Sequence, residues 1–312
     1  MRLGFIILSV IFLSSCINVG PASDVVVDQN EQRLIRGEYL AEAVTGCIDC
    51  HSVRQWSYFS GPIDPATRGG GGDVFDETVG LPGSITSPNI TPHSLKDWTD
   101  GEIIRAIAAG VSKDGTALFP MMPYENYAHM STEDMHSIIA YIRSLDPIKN
   151  SHPKRKLNFP LGLLVRTMPK ELDAPAKTPE PGSLEYGKYM ATIAGCGDCH
   201  TPRTKTGKLI MDKFMAGAPG MNIPGGLKVA PANITPHKAT GIGRWTRDQF
   251  IKRFKAYDYD SSEAPKVPEG GENTFMPWTF YAQMTEQDLG AIFDYLQTIP
   301  EVDNEVVKYP KD

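Results

Sequence analysis

The chain of 312 residues contains only five cysteines, so no dense disulfide framework can hold it together. It also lacks any stretch of the roughly 18 consecutive apolar residues that a membrane-spanning helix needs. The one long hydrophobic run, residues 3–13, is shorter than that. Basic surplus is missing too: 31 Lys and Arg stand against 37 Asp and Glu, a formal net charge of −6. Without a basic face a nucleic-acid role is disfavoured. What is present is a globular composition, 41% hydrophobic and 22% charged, with no fibrous or disordered bias. The length suffices for two domains of ordinary size.

The N-terminus reads as a segment apart. Met1-Arg2, the apolar run and then Leu13-Ser14-Ser15-Cys16 give the charged start, short hydrophobic stretch and small-residue exit of a secretory signal covering residues 1–15. Leu-Ser-Ser-Cys resembles the bacterial lipobox, in which the cysteine becomes the lipidated first residue of the mature protein. An ordinary signal peptide with a chance cysteine is the plainer alternative. Several acyl chains on Cys16 would hold a membrane more firmly than a single chain does. Residues 16–32 would then be a tether. Loss of Arg2 with the signal takes the charge to −7.

Charge is unevenly spread. Residues 16–146 carry 8 Lys/Arg against 18 Asp/Glu, residues 147–182 carry 7 against 3, and residues 183–312 carry 15 against 16. Solubility and a match between the basic connector and the acidic first half explain this most simply. Steering of a basic redox partner is the sharper reading.

Four of the five cysteines belong to two copies of one pentapeptide, Cys47-Ile48-Asp49-Cys50-His51 and Cys196-Gly197-Asp198-Cys199-His200, 149 positions apart. C-x-x-C-H is the attachment signature of c-type haem. Two thiols three positions apart on a turn can both bond one porphyrin, and the next residue presents its imidazole to the iron. Two covalently bound haem c groups are therefore expected. With Cys16 assigned to the anchor, no thiol remains for a disulfide, a thiolate ligand or a nucleophile. A zinc ribbon would need a further Cys or His pair at suitable spacing, and a thioredoxin-type motif would need a βαβ context.

The two halves repeat well beyond the motif. Gly37-Glu38-Tyr39-Leu40-Ala41 answers Gly187-Lys188-Tyr189-Met190-Ala191, and Asn89-Ile90-Thr91-Pro92-His93 recurs as Asn233-Ile234-Thr235-Pro236-His237. Trp98-Thr99 matches Trp245-Thr246, Met122-Pro123-Tyr124 matches Met276-Pro277-Trp278, and Met130, Ser131 and Asp134 match Met284, Thr285 and Asp288. Matches in the same order throughout imply duplication. Each half shows three helical stretches with apolar spacing: 33–45 and 184–194, each ending at glycine before the cysteines, and, behind Ser or Thr caps, 100–110 with 132–145 and 247–257 with 286–298. An all-α fold with few strands follows. The domains would span 33–146 and 183–312, joined by a Pro-rich basic connector over 147–182. Its Phe159, Leu161, Leu163, Leu164 and Val165 suggest a middle packed against a domain. Loops of about 30 to 45 residues follow each motif, long for a compact domain, and a haem would give them a surface to pack on. Gly69–Gly72 reads as a flexible surface run, and residues 258–272 as a tolerated insertion.

His51 and His200 are the expected proximal iron ligands. A sixth methionine ligand closes the iron and suits one-electron exchange, whereas an open position permits peroxide or other ligand chemistry. Met122 and Met276, repeat-equivalent and each followed by proline and an aromatic, are the candidates. Met121 aligns with Phe275, which cannot ligate. His93 and His237 also correspond, leaving a bis-His alternative, although a turn-capping or propionate-binding role suits them better.

These motifs together resemble the dihaem and trihaem cytochrome c subunits of bacterial membrane-bound alcohol and aldehyde dehydrogenases and their free-standing relatives. The resemblance covers most of residues 33–299. It implies two tandem class I-like cytochrome c domains with His/Met iron, His51 with Met122 and His200 with Met276. It further implies an electron-transfer role without chemistry of its own, from a dehydrogenase donor toward a quinone, cytochrome or oxidase acceptor. The location implied is the bacterial cell envelope, exported and held to the membrane through Cys16. Unlike the trihaem subunits, this chain has two motifs and no C-terminal hydrophobic anchor. The competing reading is a dihaem enzyme such as a peroxidase or a thiosulfate-oxidising cytochrome.

Overall fold

The computed structural model describes residues 17–171, 177–224, 226–259 and 263–311. Cys16 and the signal segment lie outside them. Twelve α-helices occur in this part of the chain: α1 Glu31–Tyr39, α2 Cys47–Cys50, α3 Pro92–Leu95, α4 Asp100–Ala109, α5 Tyr124–Tyr127, α6 Thr132–Ser144, α7 Leu161–Leu164, α8 Leu184–Ile193, α9 Cys196–His200, α10 Arg247–Lys255, α11 Trp278–Tyr281 and α12 Glu286–Leu296. The six long helices overlap the six periodic stretches, and the four for which a cap is expected carry it. Thr99 and Thr246 form capping boxes with Glu102 and Gln249, each box satisfying two otherwise unpaired amides. Ser131 and Thr285 cap α6 and α12 by accepting from the amides of Asp134 and Asp288. The first helix starts earlier than the periodicity suggests because Asn30 caps it. It then widens into a π-helical turn over Leu40–Val44.

The all-α expectation fails. Only 37% of the described residues are helical, and two small antiparallel sheets are present among them. One orders β1 Val74–Phe75, β2 Gly83–Thr86 and β3 Lys156–Leu157; the other pairs β4 Met221–Asn222 with β5 Lys228–Val229. Strands of two to four residues are too short for a period-2 pattern to show in sequence. The tandem class I arrangement is not confirmed; the buried side chains of both halves form one continuous cluster. Val44, Met130 and Ile138 of the first half and Met190, Ile193 and Leu289 of the second belong to it.

Within each half the first long helix crosses the last at a glycine. A Cβ on Gly37 would lie 1.9 Å from the Ser137 carbonyl, and one on Gly187 2.1 Å from that of Ala291. Only glycine permits so close a backbone approach. Between the halves the contacts are reciprocal. Tyr39 donates to Asp288 (2.5 Å) while Tyr189 donates to Asp134 (2.6 Å). Each phenol oxygen also accepts the backbone amide of the other half's cap residue, Thr285 or Ser131, at 3.1 Å.

The connector departs from expectation. β3 pairs with β2 and Val165 is fully buried, yet Phe159 is 90% exposed. Leu163 and Leu164 also face solvent. Its middle is therefore only rooted on the first half. Gly69, Gly70 and Gly71 are buried, so the glycine run is a packed turn and not a flexible surface stretch. A Cβ on Gly71, where φ is +71°, would sit 2.4 Å from the Ser87 carbonyl.

Candidate metal centres

Each C-x-x-C-H sequence folds as one helical turn, α2 or α9, entered through a left-handed glycine, Gly46 with φ 70° and Gly195 with φ 68°. The four thiols are unpaired. Cys50 and Cys199 expose surface, yet burial lifts their thiols to about 12 and about 11, as it lifts Cys47 to about 11 and Cys196 to about 12. Burial also lowers the pKa of His51 and His200, keeping the rings neutral as metal ligation requires.

The second nitrogen of each ring is held by the N-I-T-P-H segment. Nδ1 of His51 lies 2.8 Å from the Pro88 carbonyl, and Nδ1 of His200 lies 2.6 Å from that of Ala232. A carbonyl can only accept, so Nδ1 carries the proton and Nε2 is left as the donor to a metal. Asn89 and Asn233 build the turn that aims these carbonyls. The Oδ1 of each accepts from the amide (2.8 and 3.0 Å) and the hydroxyl (2.7 Å in both) of Thr91 or Thr235. Their Nδ2 groups tie the turn to the segment after the last helix, at the carbonyls of Ile148 and Val302 (2.7 and 2.8 Å). From there Asn150 and Asn304 reach back to the carbonyls of Gly70 and Ala216, both at 2.7 Å. The next residues, Gly71 and Gly217, donate to the carbonyls of His51 and His200 (2.7 and 2.8 Å).

Met122 and Met276 sit in partly buried turns closed by their own carbonyls accepting from the amides of Tyr124 and Trp278, both at 2.8 Å. Met121 is 38% exposed. Five residues beyond each methionine, Tyr127 donates to the Thr45 carbonyl and Tyr281 to that of Ala194, joining this stretch to the attachment turn. Burial raises both phenols well above 10. His237 bonds Thr240 at 2.7 Å through Nδ1, a turn-capping role within its own loop.

The attachment turns also meet the other half. Asn126 of α5 donates to Asp198 at 2.6 Å, and Phe280 of α11 is the nearest side chain to Gly46. Among the described residues one contact has no counterpart in the other half. Between Arg54 and Ile63 the first half carries a longer loop than the second has between Arg203 and Leu209. This loop pairs with the insertion after α10: Phe59 donates to Pro265 and Val267 to Ser57, both at 2.8 Å. At its tip Ser60, fully buried with φ 64°, donates to the Met276 carbonyl (2.7 Å) and accepts from the Trp278 amide (2.8 Å). Its amide donates to Asn273 (2.9 Å). Arg54 stacks beneath on Trp56, 4.4 Å from the ring centre, and bonds the carbonyls of Gly61 and Ser60.

The sequence pairs Tyr127 with Tyr281 and Asn150 with Asn304, and extending the repeat to these positions would have found them. The carbonyl partners and Ser60 leave no such signal, since any residue offers a carbonyl and Ser60 has no equivalent.

Two thiols, an imidazole with its tautomer fixed and a partly buried methionine turn, present in each half, are residue types that a c-type cytochrome uses. No family model matches the sequence. The chain is 28% identical over 297 residues to the cytochrome c subunit of an alcohol dehydrogenase (quinone) from Komagataeibacter europaeus, covering 88% of this chain and 58% of that protein. It is 28% identical over 304 residues to the gluconate 2-dehydrogenase cytochrome c subunit of Pantoea cypripedii, covering 91% and 64%. A diheme cytochrome c-type protein of Cereibacter sphaeroides is 28% identical over 280 residues, 86% of each chain. The chain thus spans about 60% of the length of the dehydrogenase subunits it matches. The resemblance to dehydrogenase cytochrome c subunits and to a dihaem cytochrome c therefore holds across most of the sequence. Among the described residues no helix is long and apolar enough to cross a membrane.

Proposed function

We propose that the protein is a dihaem c-type cytochrome that passes single electrons between a dehydrogenase and the respiratory chain, exported and held at the bacterial membrane through a lipidated Cys16. The observation that carries this reading is the matched His51–Pro88 and His200–Ala232 contacts, which leave Nε2 of both rings as a metal donor. Cys47 and Cys50 would hold one haem and Cys196 and Cys199 the other, with Met122 and Met276 as sixth ligands. Unpaired thiols next to imidazoles with a free Nε2 fit such a group. When bound, a His/Met haem supplies a closed iron that exchanges one electron without binding substrate.

The chain's own residues do the rest. The Asn89 and Asn233 turns hold each imidazole in one tautomer and one orientation. The glycines at 71 and 217 let the backbone after the attachment turn approach closely. Tyr127 and Tyr281 link the stretch after each methionine to the attachment turn of each half. The acidic first half favours approach by a basic partner.

Absorbance of the alkaline pyridine adduct against protein mass should give two haems per chain. The near-infrared methionine-to-iron band should come from both sites, and Met276→Ala should remove only the second contribution. One haem per chain, or a high-spin site at neutral pH, would overturn this reading.

A further inference from the structure

The connector presents a surface that neither iron site uses. Around α7, Phe159 is 90%, Leu163 55% and Leu164 50% exposed, while Val165 beneath them is fully buried. A lone exposed apolar residue is ordinary, but three large ones within six positions on one rooted turn form a patch that calls for a partner. Exposed cations flank it: Lys154, Lys156 and Arg166 form no ion pair among the described residues. The patch also has a defined neighbour. Asn18 pairs in parallel with Lys170, and a Cβ on Gly20 would meet the Glu171 carboxylate at 3.4 Å. The N-terminal end of the described residues therefore lies beside the connector.

We propose that this surface rests on a lipid bilayer. Phe159, Leu163 and Leu164 enter the boundary between headgroups and acyl chains, and Lys154, Lys156 and Arg166 meet anionic headgroups. Its place beside the proposed lipid attachment rests on the anchoring of Cys16; the binding chemistry of the patch does not. A protein groove would satisfy the apolar residues equally well, but the cations and the adjacent N-terminal end of the described residues favour the membrane. Two points of attachment at one end of the molecule fix its orientation, where a lipid alone would let it tumble.

The test uses the mature holoprotein carrying Cys16→Ser, so that no acyl chain contributes. It should float with phosphatidylcholine vesicles containing phosphatidylglycerol, less with phosphatidylcholine alone, and be released by salt. Removing three largely exposed apolar side chains with Phe159→Ser, Leu163→Ser and Leu164→Ser should weaken partitioning on the order of a hundredfold, with both haem spectra unchanged. Arg166→Glu should weaken it roughly fivefold or more on anionic vesicles only. Amide exchange over residues 159–166 should slow on vesicles. Absence of Cys16→Ser binding to anionic vesicles would overturn the proposal, as would equal binding by the triple variant. Protection of 159–166 by a purified protein partner but not by vesicles would also overturn it. The mass of the wild-type N-terminus reports acylation separately, so an unmodified Cys16 with vesicle binding intact would refute the anchor and keep the surface.

Discussion

Ser60 offers the sharpest test of how the second site is held. Its hydroxyl is wholly buried and makes two hydrogen bonds, to the carbonyl of Met276 and from the amide of Trp278. Both backbone groups also bond each other at 2.8 Å, so deleting the hydroxyl orphans neither and costs only the net value of the bonds, about 1–2 kcal/mol. Ser60→Ala should show that full loss, because alanine keeps the left-handed backbone. Ser60→Gly relieves a left-handed conformation worth about 1 kcal/mol, so its stability should stay close to wild type. The two variants thus differ in stability and share one defect: the turn carrying Met276 loses its grip from the other half. Imidazole titration followed by the near-infrared band should show the second site opening about tenfold more readily in both variants, the equivalent of 1.4 kcal/mol. The first site, with no such contact, should be unchanged. The reasoning fails if imidazole affinity follows stability, or if both sites shift together.

Three further outcomes are expected. Burial pushes Asp73 up to about 6, from 3.8, against the opposing charge of Arg54. The folded state therefore binds this proton more tightly, and stability should fall as pH rises from about 4 to about 6; Asp73→Asn should flatten that slope in denaturant titrations and raise stability at pH 7. Tyr39→Phe and Tyr189→Phe remove matching bonds between the halves, so each should cost about 1–2 kcal/mol in denaturant unfolding, with neither loss confined to one half. Gly37→Ala forces a Cβ to within 1.9 Å of a carbonyl and should cost about 3 kcal/mol or more. Gly115→Ala, with positive φ but nothing within 4 Å, should cost only about 1 kcal/mol in the same assay.

The long helices were legible because they carry their own signals: apolar spacing, an acidic first turn and, in five of the six, a Ser or Thr cap. The positions of Cys47, Cys50 and His51 and of their counterparts were legible because their chemistry demands a fixed local spacing. What escaped depended on distant backbone. The short strands have no period to read, and the Pro88 and Ala232 carbonyls have no side chain to mark them. Ser60 and residues 265–267 are single insertions, one per half, that acquire meaning only when the fold pairs them. The glycine run misled because Gly69–Gly71 has the composition of a flexible loop, while its purpose is a close packed approach behind His51. The connector misled in the opposite direction, since apolar residues that would ordinarily be buried face outward.

The crossed bonds of Tyr39 with Asp288 and Tyr189 with Asp134 carry a consequence for assembly. A contact in which each side gives a tyrosine and receives a carboxylate is the form taken by a self-complementary dimer. In this chain the two copies are joined by the connector, so the association is intramolecular and its effective concentration is set by the chain alone. Dilution cannot part the two halves. Once joined, the halves were also free to diverge, and the insertion bearing Ser60 shows one of them acquiring a hold on the other that an identical pair could not make only once.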